Sequence, residues 1–145
     1  MFNFLKKKGE NVKNSDLIKK TASLLIHAAK IDENYSPAEE NIIKKTLTEL
    51  GVKNNLDELM NKAKLIEKNS NQILDFTRDV KKLSEEKKIK IIKALWKIIY
   101  SNDKADMYET NLMRRLAGLL YIDSKLMGDI KEKIIKENLN DLSSK

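Results

Sequence analysis

The chain has 145 residues, with 29 Lys and Arg against 22 Asp and Glu, a formal net charge of +7 and no cysteine. Disulfides, thiolate metal sites and thiol nucleophiles are therefore excluded, and one proline with four glycines leaves little room for a turn-rich β protein. Abundant Lys, Leu, Ile, Glu and Ala predict an all-α domain, long enough to bury roughly 70% of its unfolded surface without covalent staples.

Residues 1–13 read as a short leader, with Phe2, Phe4 and Leu5 ahead of Lys6, Lys7 and Lys8. A helical domain is expected over 14–138 and a frayed tail over 139–145. The start lacks the apolar stretch and cleavage site of a signal peptide. No apolar run approaches the ~20 residues of a membrane-spanning helix, so the expected location is cytoplasmic.

Seven helices are predicted in chain order. The first covers about 16–31, where Leu17, Ile18, Thr21, Leu24, Leu25 and Ala28 recur at helical spacing. The second follows Ser36, with Pro37 at its first position and Gly51 as its stop. The third covers about 57–68 and the fourth about 71–82. The fifth follows Ser84, a suitable N-cap. It carries Ile91, Ile92, Leu95, Trp96, Ile98 and Ile99, a broad apolar face that makes it central. The sixth runs from Met107 to about Leu120, and the seventh starts after Asp123. Lys87, Lys88 and Lys90 read as a solvated face.

A shift of 70 residues lays helices one and two over helices five and six without a gap. Leu25 falls on Leu95, Ile26 on Trp96, Ile43 on Met113, Leu50 on Leu120 and Val52 on Ile122. The acidic loops align as well: Asp32 on Asn102, Ser36 on Asp106, Glu39 on Glu109. The expected fold is thus a compact all-α bundle of about seven helices, with an internal pseudo-two-fold repeat of helical hairpins.

Two stretches carry a family resemblance. "AAKIDENYSPAEENIIKKTLTELGV" resembles the first half of the TerB-like tellurite-resistance family. "ALWKIIYSNDKADMYETNLMRRLAGLLYI" resembles the second half of the family's variant with a tryptophan before the loop. Together they span about Leu17 to Ile134. The family's loop begins Asp-Gly; here Glu33 and Asp103 stand in place of the glycine, and Asn102 replaces the second aspartate. The resemblance implies a stress-response role tied to tellurite resistance, protein partners near the membrane, and divalent-cation binding through the loops.

The loops admit two readings. Ser36-Pro37-Ala38-Glu39 and Asp106-Met107-Tyr108-Glu109 both have the form of a capping box. Capping does not account for Asp32 or Asn102, each at the C-terminal end of a helix, where the dipole disfavours an acid. Asp32 could instead satisfy loop amides in an Asx-turn, or face a cation together with Glu39. Oxygen donors of this kind suit a hard cation such as Ca²⁺ or Mg²⁺. The candidate metal ligands are Asp32, Glu39, Asn102, Asp103, Asp106 and Glu109.

His27 is the sole histidine and reads as a boundary residue; alone it makes a poor zinc or catalytic site. Trp96 reads as core, with a docking surface shared with Tyr100 as the alternative. Arg114 and Arg115 read as ion-pair partners of the acidic loops, or as receptors for a partner's carboxylate. No phosphate loop or catalytic constellation occurs, and paired-carboxylate hydrolysis would need more histidines. The expectation is a non-enzymatic cation-binding adaptor or sensor. The alternative, a basic helical protein on nucleic acid or an anionic surface, rests on the pI of about 9.4; it lacks an Arg-rich recognition helix.

Overall fold

The computed structural model describes residues 2–30, 35–70, 72–101 and 107–143, with side chains over 16–30, 35–70, 72–101 and 111–137. The described residues form seven helices and no strand: α1 (Phe2–Ala29), α2 (Pro37–Glu49), α3 (Leu56–Lys68), α4 (Leu74–Val80), α5 (Glu85–Tyr100), α6 (Met107–Leu119) and α7 (Ser124–Ser143). This is the all-α bundle that composition and periodicity predict.

Three boundaries differ from the sequence reading. The backbone read as a leader is continuous with α1, which starts at Phe2; no proline interrupts it, and Lys and Glu sustain helix. Helix α7 continues to Ser143, past the expected fraying point. Helix α4 is shorter than expected, because the chain after Val80 tightens into turns, with Lys82 N–H on the Asp79 carbonyl and Leu83 N–H on that of Val80.

Helix α5 is central. It buries Ile91, Ile92, Ala94, Leu95, Trp96, Ile98 and Ile99 and packs against α1, α2 and α7. Helix α1 packs against α2, α3, α4 and α5. Leu24, Leu25, Ile43, Leu47, Phe76, Ile91, Ile92 and Leu95 are fully buried, and burying one such side chain contributes roughly 1.5–3 kcal/mol. Small residues let α1 approach α3 closely: Ala22, Ser23 and Ala63 are completely buried. The Ser23 hydroxyl proton is shared between the carbonyls of Lys19 (2.7 Å) and Ala63 (3.2 Å), so the polar group carries no burial penalty.

Helices α2 and α6 end in the same way, 70 residues apart. Leu50 N–H meets the Thr46 carbonyl (2.9 Å) and Val52 N–H that of Leu47 (3.0 Å); Leu120 N–H meets that of Leu116 (2.8 Å) and Ile122 N–H that of Ala117 (2.9 Å). This bonding closes a helix through one left-handed residue. Gly51 fills that position in one case (φ 112°) and Tyr121 in the other (φ 57°). Both helices have 13 residues. The packing partners differ, however: α2 lies on α1 and α5, whereas α6 lies on α4 and α7.

Lys88 and Lys90 are not a simple solvated face, which corrects the sequence reading. Both are half-buried. Lys88 Nζ donates to the Leu120 carbonyl (3.0 Å), and Lys90 Nζ lies 3.5 Å from the Glu49 carbonyl. A cation at a helix C-terminus is favoured by the exposed carbonyls and the dipole. Helix α5 thus steadies the ends of both α6 and α2.

Candidate functional site at the first helix corner

The corner between α1 and α2 is where the structure describes part of the expected site. Ser36 has extended backbone (φ −97°, ψ 160°), which turns the chain into α2 and frees its side chain to cap. Its Oγ accepts from Glu39 N–H (3.2 Å), while Glu39 Oε1 accepts from Ser36 N–H (3.1 Å) and from the Ser36 hydroxyl (3.0 Å). The capping box read from the sequence is therefore formed. Glu39 is only 1% exposed.

The adjoining residues build a layer of charge over α3. Lys64 Nζ donates to Glu40 Oε1 (2.7 Å) and sits 5.5 Å above the Tyr35 ring. The Lys64 hydrogen bond holds the Glu40 carboxyl below the ordinary glutamate value, against an opposing effect of burial. The Tyr35 hydroxyl is buried and makes no hydrogen bond of good geometry to a described residue. Burial first, then the charges of Glu40 and Glu39, hold this phenol protonated far above the usual tyrosine range. On the α1 side, Glu67 receives both Lys30 Nζ (2.9 Å) and His27 Nδ1 (3.3 Å). His27 is half-buried beside Phe76, a boundary position as the sequence indicates.

Asp32, Asn102, Asp103 and Asp106 lie outside the described residues, as do Glu33 and Asn34. Glu109 stands in the first turn of α6, its side chain outside the described set. Among the described residues, no group of three or more His, Asp or Glu side chains is placed to hold a metal ion. Tyr35, Glu40, Lys64 and Glu67 gave no sequence signal, because Lys64 and Glu67 meet the corner only through the packing of α3.

Arg114 and Arg115 are exposed and form no ion pair with a described residue. The expected role of steadying the loops is thus not seen among these residues. Trp96 is core, as read, and stacks on Tyr100 at 6.0 Å.

The family model for tellurite resistance protein TerB matches residues 19–132. The chain belongs to the TerB family. That match runs from within α1 into α7, close to the stretch over which the acidic-loop motifs carry the resemblance. No curated protein and no solved structure matches the chain. At the level of the family, this TerB protein is related to tellurite resistance. Among its described residues, no helix is long and apolar enough to cross a membrane.

Proposed function

We propose that this TerB protein is a non-enzymatic, divalent-cation-binding adaptor or sensor of the cytoplasm, acting in stress response through the corners between its helices. The observation that carries the reading is the burial of the Glu39 carboxylate at the corner that adjoins the acidic loop. A buried carboxylate is stable only where positive charge and hydrogen bonds compensate it. The capping bonds of Ser36 fix its orientation toward the start of α2. Its hard oxygen donors suit Ca²⁺ or Mg²⁺. Asp32 and Glu39 would hold the ion, with Asn102, Asp103, Asp106 and Glu109 forming the equivalent set. The ion would supply charge that fixes the angle between α1 and α2, and with it the surface shown to a protein partner near the membrane.

The test is an amide NMR titration with Ca²⁺, Mg²⁺ and Mn²⁺ up to about 5 mM, beyond the weakest protein Ca²⁺ sites. Shifts or broadening confined to residues 32–39 or 102–109 are expected. Glu39→Gln keeps an oxygen for the Ser36 bonds but removes the charge, so it should abolish the response at 32–39 while the helix signals persist. No response in either loop overturns the reading.

A further inference from the structure

A cleft that shares no residue with the α1–α2 corner lies between α5, α6 and α7. It measures about 210 Å³ and is lined by Trp96, Met113, Arg114, Ala117, Ser124, Met127, Gly128 and Lys131. Its lining contains two cations and no acid. Neither Arg114 nor Lys131 forms a salt bridge with a described residue. Lys131 Nζ instead stands 5.4 Å from the centre of the Trp96 ring. Trp96 is 4% exposed, and its buried indole N–H has no acceptor among the described residues. Met113, Met127 and Ala117 supply an apolar wall that adapts to shape.

We propose that this cleft docks an acidic, apolar-flanked peptide segment of a partner protein, seating a carboxylate between Arg114 and Lys131 and a neighbouring apolar side chain against the methionines. Charge complementarity argues for this occupant. Arg114 offers a planar fork suited to a carboxylate. The mixed lining favours a peptide over a bare ion, since an ion leaves the methionine wall unused. This inference goes beyond the cation reading and is independent of it, because no residue is shared between the two sites.

The test uses the full ¹⁵N-labelled chain with a metal chelator present, so that failure of cation binding has no bearing on it. Trp96 is the only tryptophan, so its indole N–H gives one NMR resonance that reports directly on the cleft. The probe is a capped peptide of alternating leucine and glutamate at low salt. Saturable movement of the indole signal is expected, weakening as added salt screens the charges. The glutamine counterpart should bind about tenfold more weakly, as loss of a charge-assisted hydrogen bond implies. Arg114→Ala and Lys131→Ala should each weaken binding severalfold. Gly128 lies in mid-helix, and a side chain added there meets nothing within 4 Å. Gly128→Leu should therefore keep the fold and block the cleft. An unmoved indole signal, or equal binding of the glutamine peptide, overturns the proposal. So does an equal response to inorganic phosphate alone, or a response to anionic lipid vesicles in place of the peptide.

Discussion

Ile26 and Trp96 stand 70 residues apart, at positions that align in the sequence, and each lines a cleft. The first cleft, about 540 Å³, contains Ile26, Lys30, Tyr35, Asn61, Lys64, Leu65 and Lys68. The second contains Trp96 with Arg114 and Lys131. In the first, Lys30 is paired with Glu67 and Lys64 with Glu40. In the second, the cations form no such pairs with described residues, and an indole N–H takes the place of an aliphatic side chain. The difference teaches that similar backbone positions can carry opposite chemistry. Two cations of the first cleft are paired internally, whereas neither cation of the second is paired with a described residue. Leu65, 60% exposed, leaves an apolar edge on the first cleft, where Lys68 stands without an ion pair to a described residue.

The largest test of the comparison is in the core. Leu25 and Leu95 are both fully buried, so Leu25→Ala and Leu95→Ala should each cost about 2–5 kcal/mol in urea unfolding. Costs that differ by more than about 1.5 kcal/mol would break the equivalence of the halves, since cavity cost tracks how well a site can collapse.

The helix ends should respond with opposite sign. Gly51→Ala places a β-carbon on a left-handed residue and should lower stability by about 1 kcal/mol. Tyr121→Gly relieves that same strain and should raise stability, by roughly 0.5 kcal/mol after loss of the Lys81 contact over its ring (5.7 Å). Thermal denaturation distinguishes the two, and two losses would show that the Tyr121 side chain outweighs its backbone. Next in size, Lys88→Met should lower stability by about 1 kcal/mol through loss of its bond to the Leu120 carbonyl. Lys90→Met, with its 3.5 Å separation from Glu49, should have a smaller effect.

The pH responses are the finest test, and they belong to the first corner alone. The folded state holds Tyr35 protonated beyond the pH at which an unfolded tyrosine ionises, about 10. The unfolded chain then binds fewer protons, so stability falls as pH rises above that value. Tyr35→Phe should flatten this alkaline limb, and should also stabilise slightly by removing a buried hydroxyl that lacks a good hydrogen bond. Glu40 has the opposite sign. Its folded pKa is depressed, so its contribution is present above the ordinary glutamate value and is lost as pH falls through the folded one. The partly exposed pair should contribute under about 1 kcal/mol. Lys64→Met should remove that acid-side loss in pH-dependent unfolding.

The capping box at Ser36 and Glu39 was legible because a cap is local: its bonds join residues three apart, whatever the rest of the chain does. The central role of α5 was legible from its broad apolar face. The lysines of α5 misled, because a Lys stem can run along packed surface and deliver its charge to another helix. The fold places Arg114 beside Trp96 and Lys131 in a cleft, a neighbourhood that local spacing does not show; the acidic loop it was expected to steady lies outside the described residues.

By itself, the sequence determined the all-α class, the positions of the helices and the acidic corners, because periodicity, capping and composition are properties of short stretches. Tertiary structure alone decided that Glu39 is buried, that Lys64 rather than a neighbour on α2 meets Glu40, and that Trp96 shares a cleft with two cations. Those outcomes depend on which helix faces cross in space, and contacts between residues far apart in the chain leave no mark in local spacing.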